Sequence, residues 1–408
     1  MFAGNYKAFS AALLLLLAAT GPLICEIKYV KATGGSMAVT SKNFQGLPVA
    51  GLAPATVLQQ LQQRCASVFP IFDPQNNKWR KFFAVNCKML LKHEELAGDF
   101  GNIYSAIDKE PKLEYAFFKG TTHADQLIVI ASGGFYDKHF ALPYVVILNK
   151  LLGFSCVIAD YRGHENSWHR ADPNNLLYRM CDPNRACGID SSQFTFGRQE
   201  GLDFYHLIAK IKQQHPMIQR VHGLGICFGS IVLSRAHNLY RRSHEQDLFD
   251  SLLLISPLPS AHDLVLNVLC DTRALTKFVS QQTFVKVSSW PFLKIARLML
   301  KLPLIKYCLT GIVTRYLGIK SFDSLAEFKK LRIPLLCIAS NDSDYIVTKQ
   351  MALKVWHNIP SKQKLLLWSF GVEHLFNWHE EMTQLTKIFE QFFGHPKEVI
   401  ANPETFLT

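Results

Sequence analysis

From Leu113 onward the chain alternates short apolar runs with longer amphipathic ones. Gln126-Leu127-Ile128-Val129-Ile130-Ala131 and Phe154-Ser155-Cys156-Val157-Ile158-Ala159-Asp160 are nearly unbroken apolar segments of strand length. That pattern predicts strands buried on both faces of a parallel sheet. It recurs at Arg220 to Leu224, Ser251 to Ile255, Pro334 to Ala339 and Lys364 to Trp368. Leu113 to Lys119 reads as a strand leading into the series, with a turn at His123-Ala124-Asp125. Leu142 to Leu152, Thr195 to Gln214 and the stretch from Ser230 to Ala236 read as helical. Strands alternating with helices predict right-handed crossovers and an α/β class with a mostly parallel central sheet and flanking helices.

The alternation breaks in two places. Between Pro257 and Arg332 the chain is helical in character and rich in basic residues, which predicts a helical cap over residues 259–331. Within it, Trp290 to Lys301 has the make-up of a basic amphipathic helix, packing its apolar face on the core or touching anionic lipid. Upstream, Gly34 to Ala53 is rich in Gly, Ser, Thr and Pro and reads as a linker. Helices are expected over Thr56 to Val68 and Lys78 to Leu96, giving a linker and helical extension over residues 26–110. The core then comprises residues 111–258 and 332–395, followed by a C-terminal tail, 396–408.

Ala8 to Cys25 is a nearly uncharged apolar stretch behind Lys7, with five consecutive leucines from Leu13 to Leu17. It reads as a signal peptide or a membrane anchor over residues 1–25, so a secreted or membrane-associated protein is expected. A length of 408 residues with 49% hydrophobic and 19% charged residues suits a globular core. The net charge of +12 points to an acidic partner, an anionic membrane surface or an acyl carrier. No nucleic-acid-binding motif accompanies it, so nucleic acid is not an expected partner. Of ten cysteines none forms a C-x-x-C pair, and neither a metal nor a cofactor is expected. Cys181 and Cys187 flank a loop-like segment and would pair in an oxidising compartment.

Chemistry concentrates at Gly225-Ile226-Cys227-Phe228-Gly229, between the strand from Arg220 and the helix after Ser230. A nucleophile on a sharp strand-to-helix turn needs small residues two places to either side, because a Cβ there would collide with strand or helix. Gly225 and Gly229 meet that need. The pattern resembles the G-x-S-x-G nucleophile elbow of α/β-hydrolases, with Cys227 in place of serine. Asp160-Tyr161-Arg162-Gly163-His164-Glu165-Asn166-Ser167 is similar to the D-x-R-G-x-G-x-S segment of capped members, the serine-aminopeptidase and lysophospholipase-like ones, with Glu165 replacing the second glycine. Gly197, Glu200 and Asp203 precede the elbow strand as in that family; these residues read as loop-holding, without chemistry.

The resemblance spans about Leu113 to Phe393 and implies an α/β-hydrolase fold with a triad in the order nucleophile, acid, histidine. Asp344, in the loop after the strand from Pro334, matches the acid, with Asp342 as competitor. His374, in the loop after the last strand, matches the base, with His379 as the neighbour to exclude. A thiol nucleophile requires such a base, and a histidine partner can hold a cysteine as thiolate near neutral pH. The oxyanion hole would take one N–H from Phe228 and a second from Gly134 or Phe135 in Ser132-Gly133-Gly134-Phe135, where Ser132 occupies the family's usual histidine position. Cysteine in the elbow also resembles dienelactone hydrolases and polyhydroxyalkanoate synthases, whose other motifs are not evident here. The function implied is an acyl hydrolase, esterase or thioesterase, working through a covalent acyl-enzyme on a lipid-like or long-chain acyl substrate. An acyltransferase with the same triad, or an inactive hydrolase-fold interaction protein at a membrane, are the alternatives.

Overall fold

The computed structural model describes residues 26–33, 36–40, 99–104, 111–134, 138–162, 195–270, 322–340, 344, 346–370 and 378–404. The apolar runs are parallel strands: β5 His123–Ala131, β6 Phe154–Ala159, β7 Arg220–Ile226, β8 Ser251–Ile255, β9 Leu335–Ser340 and β10 Lys364–Phe370. Residues 127–131 in β5 and the whole of β6, β8 and β9 are buried, as strands covered on both faces must be. β4, Pro111–Phe118, runs antiparallel to β6, and β3, Asp99–Tyr104, antiparallel to β4. The residues expected as a turn, His123 to Asp125, instead open β5, where the pairing with β6 shifts register between His123 and Leu127.

Three strands were not anticipated from the sequence. β1, Glu26–Thr33, and β2, Ser36–Thr40, form an antiparallel hairpin that adds β1 to the free edge of β10. Residues 36–40 of the stretch expected as a linker are therefore a strand, because β1, once paired to β10, offers its own free edge to β2. β3 likewise lies in the region expected to be helical, while the helices expected over Thr56 to Val68 and Lys78 to Leu96 lie outside the described residues. The strand order is β2-β1-β10-β9-β8-β7-β5-β6-β4-β3. From β5 the chain moves outward to β6, then crosses back to place β7 on the other side of β5. That reversal is a topological switch point, and in open α/β sheets the crevice beyond the carboxyl ends of the strands at such a point is where ligands bind.

Helices cover the two faces. α1, Leu142–Val145, lies between a 3₁₀ turn, Lys138–Ala141, and a π turn, Val146–Leu151. α2 is Glu200–Gln214, α3 Phe228–His244, α4 Ala261–Cys270, α5 Ser324–Phe328, α6 Lys349–Asn358, α7 Trp378–Gly394 and α8 Pro396–Ala401. Successive residues of β7 show which helix lies where. The His222 ring lies 5.6 Å from Phe393 of α7, whereas a Cβ on Gly223 would come within 3.1 Å of Leu233 on α3. So α7 and α3 pack on opposite faces. The expected C-terminal tail is in part helix α8, with Val399 and Ile400 buried. Of the expected cap, α4 and α5 are described at its two ends, and residues 271–321 lie outside the described residues.

His222 is wholly buried in mid-sheet, its Nδ1 2.8 Å from the Ser251 hydroxyl on the neighbouring strand and its Nε2 without a hydrogen-bond partner. Burial, with a smaller push from Arg220, lowers its pKa to about 3. His237 on α3 is lowered to about 4, by burial first, although Asp247 opposes the shift. In the unfolded chain both titrate near the ordinary value of about 6.5. The unfolded state thus binds more protons than the native state between roughly pH 6.5 and pH 3–4. The stability due to these neutral imidazoles is complete above pH 6.5 and declines as the pH falls through that window. Thermal melting from pH 7 to pH 4 should show a falling midpoint, and His222→Gln should flatten the fall relative to its own value at pH 7.

Candidate active site at the switch point

Cys227 is the hinge between β7 and α3, with φ 51° and ψ −110°, a region that costs an L-residue about 1–3 kcal/mol. The surroundings impose it. Its N–H donates to the Ile255 carbonyl at 2.8 Å, continuing the ladder to β8 for one residue beyond the strand. Its carbonyl accepts from the Ser230 hydroxyl at 2.6 Å, from the Ser230 N–H at 3.2 Å and from the Leu258 N–H at 3.4 Å. The flanking glycines are needed for the reason inferred from sequence. A Cβ on Gly225 would lie 2.8 Å from the Ser230 Cα, and one on Gly229 would run into the Ala131 carbonyl and stand 2.8 Å from the Ser132 oxygen. Those obstacles are backbone and cannot swing aside. Cys156 and Cys337, free thiols inside β6 and β9, keep no exposure, while Cys227 keeps 5%. Burial raises the pKa of both strand thiols, Cys337 to about 12, which makes them inert.

The loop after β5 leaves the sheet beside the elbow. Ala131 pairs with Gly225, so Ser132 and Gly134 run alongside the turn that carries Cys227. A Cβ on Gly134 would be 3.3 Å from the Phe228 Cβ, so the loop after β5 touches the first residue of α3. Phe228 opens α3, so its N–H lies at the positive end of the helix dipole. Phe135 lies outside the described residues.

Asp344 is buried four residues past the end of β9. Its Oδ1 accepts the N–H groups of Ile346 and Val347, each at 2.9 Å, and its own N–H donates to the Ser340 hydroxyl at 3.2 Å. The carboxylate thus closes the turn that carries it and faces a fixed direction. Sequence reasoning missed a strap on this loop from α4. The Asn267 side chain on α4 donates to the Ile346 carbonyl at 3.1 Å, and Asp263 of α4 pairs with Lys354 of α6 at 2.8 Å. Asp342 and His374 lie outside the described residues; His379 falls in α7. Ile226, Ile255, Ile338 and Leu367 form one row across β7 to β10, and the chain reaches Cys227 and Asp344 one and six residues beyond that row.

Asp160 and Arg162, from the segment similar to D-x-R-G-x-G-x-S, hold structure. Arg162 makes two hydrogen bonds to the Asp203 carboxylate, at 2.8 and 2.7 Å. Burial works against the guanidinium charge, but Asp203 outweighs it and the pKa rises. Glu200 accepts from the Thr195 N–H and hydroxyl and from the Gly197 N–H, tying the turn ahead of α2, where Gly197 has φ 106°. Among the described residues no group of three His, Cys, Asp or Glu side chains is placed to hold a metal ion.

No protein-family model matches the chain, and no curated protein does. Solved structures similar to it include an esterase from Pyrococcus furiosus, at 14% identity over 74% of this chain and 95% of that one, with a TM-score of 0.47. DcsB in complex with its substrate analogue is 15% identical over 73% of this chain and 99% of its own, also at 0.47. A thermophilic esterase from Thermogutta terrifontis is 16% identical over 72% and 98%, at 0.44. Such scores carry no inference about chemistry. The strand order, the switch between β5 and β7 and the glycine-flanked positive-φ residue at that switch decide the architecture. The chain has the α/β-hydrolase fold. Within that fold β3 to β10 form the core sheet, and β1 and β2 extend it at the β10 edge. No described helix is long and apolar enough to cross a membrane, and residues 1–25 lie outside the description.

Gly229 and Gly394 should respond to alanine in contrasting ways. Gly229→Ala should destabilise the protein by about 3 kcal/mol or more, since backbone at the β5 end must move. Gly394, where an added Cβ would meet nothing within 4 Å, should tolerate alanine with a change of at most about 1 kcal/mol. Denaturant unfolding of both variants measures this.

Proposed function

We propose that this protein is an acyl hydrolase, an esterase or thioesterase whose nucleophile is Cys227, with His374 as base and Asp344 as the orienting acid. The observation that carries the reading is the backbone of Cys227, held at φ 51° and ψ −110° between two glycines at the topological switch point. A protein keeps a residue in so unfavourable a conformation where the surroundings demand it, and such residues cluster at reacting centres. A buried, turn-fixed Asp344 and a histidine placed by the chain just beyond β10 supply the rest of the relay.

In this mechanism the His374 imidazole takes the thiol proton and the Cys227 sulfur attacks the acyl carbonyl carbon, forming a C–S bond. The carbonyl π pair moves onto oxygen, where the Phe228 N–H and one from Gly134 or Phe135 receive it. Collapse of this adduct breaks the bond to the leaving alkoxide or thiolate, which takes the proton from His374. Water then attacks the acyl-cysteine, giving its proton to His374. The acid leaves and the thiol is restored. Asp344 fixes the imidazole tautomer and stabilises its charged form.

The apolar composition of residues 259–331 supports a long-chain or lipid-like acyl group. The net charge of +12 and the apolar stretch from Ala8 to Cys25 support work at an anionic membrane surface. Turnover of p-nitrophenyl esters and acyl thioesters of graded chain length tests the proposal. Cys227→Ala should lower kcat on the order of 10³-fold or more at an unchanged melting temperature, and long chains should be preferred. Full activity in that variant contradicts the thiol's role; indifference to length contradicts the long-chain part. Product analysis with added alcohol separates hydrolysis from acyl transfer.

A further inference from the structure

The two residues just past the end of β6, Asp160 and Tyr161, hold Ser132 and Lys138, at either end of the loop after β5. At the near end the Tyr161 hydroxyl donates to the Ser132 carbonyl at 2.5 Å. At the far end the Asp160 carboxylate accepts the Lys138 N–H at 2.7 Å and the Lys138 ammonium at 2.6 Å. Glu114 on β4 takes the same ammonium at 2.5 Å. Burial alone would neutralise this lysine, yet Asp160 and Glu114 outweigh it and raise its pKa, so Lys138 stays charged and bonded. Asp160 and Tyr161 are fully buried, where such hydrogen bonds are shielded from competing water.

Tyr161 also touches the other half of the hole. Its ring meets that of Phe228 edge-on, with centroids 5.1 Å apart and planes at 85°, and it packs on Phe204 of α2 at 5.7 Å. One side chain therefore spans the site, bonded to the loop of Gly134 and packed on the residue that supplies the second N–H. Electrostatic stabilisation depends on donors fixed before charge develops, and small displacements are costly. From this we infer that Tyr161 is a positioning residue of the oxyanion hole. It sets the spacing between the Phe228 and Gly134 amides through the Ser132 carbonyl, with Asp160 anchoring the loop's other end through Lys138. The inference rests on the proposed acyl chemistry for its catalytic consequence but not for the clamp itself.

Tyr161→Phe tests it, since the ring keeps its packing and only the hydroxyl is lost. The expected result is a fall in kcat of about 10-fold or more with KM nearly unchanged, because the loss falls on the transition state. Hydrogen–deuterium exchange of the full-length protein should show faster exchange confined to the peptide spanning residues 132–138, with the β8 and β9 peptides as in wild type. Unchanged exchange in that peptide overturns the clamp whatever the activity. Faster exchange with wild-type kcat and KM overturns the positioning role. A wild-type protein that turns over no ester or thioester removes the acyl reading, and the exchange result then decides the clamp alone.

Discussion

The structure turns on one backbone constraint, the positive φ of Cys227 between a strand that must stay in register and a helix that must start at once. The Ile255 carbonyl holds the amide, Ser230 and Leu258 hold the carbonyl, and the two glycines let strand, helix and the β5 loop come within contact distance. Relaxing the turn would break several of these bonds at once, which is how the surrounding structure over-determines a conformation the residue would not choose. The next residue is thereby the first of a helix, with its N–H at the positive end of the helix dipole.

Around this turn the fold buries charge in complete sets. Lys138 is shared by Asp160 and Glu114, Arg162 is matched by Asp203, and Glu327 of α5 receives Arg235 at 2.9 Å and the Asn238 amide at 2.7 Å from α3. Buried pairs of this kind add little net stability compared with apolar packing, but each is costly to break on one side. Their worth here is geometric. The first ties the loop after β5 to the end of β6 and the second ties the β6 exit to α2. The third fastens α5 to α3, the helix that starts after Cys227. Asn267 and Asp263 do the same for α4, so the loop of Asp344 is braced by the helix that follows β8.

Much of this was legible in the sequence because the parallel strands are buried on both faces and read as plain apolar runs. The bounds of β6 to β10 follow those runs within one or two residues, and Gly225, Cys227 and Gly229 carry their steric reason openly. The hairpin of β1 and β2 was readable in part: Ile27 and Tyr29 alternate with polar residues, and Gly34-Gly35 separates the strands as a two-residue turn would. Its attachment to β10 was not, because edge pairing uses backbone groups that every sequence shares. β3, whose run Asp99-Phe100-Gly101-Asn102-Ile103-Tyr104 is short and polar, gives no such signal. The part played by Tyr161 was hidden for a related reason. Tyr161 stands between Asp160 and Arg162 in a segment that reads as loop-holding, and only the fold brings its hydroxyl to Ser132, twenty-nine positions away in the chain.

The central claim is that the sulfur at the elbow, and no other, becomes acylated. Intact-mass and peptide mass spectrometry of the full-length protein, quenched in acid during turnover of a slow acyl thioester, measures this directly. One acyl group on the peptide containing Cys227, absent from Cys156 and Cys337, is the predicted result. Turnover with no adduct on Cys227, or an adduct on a different cysteine, contradicts it.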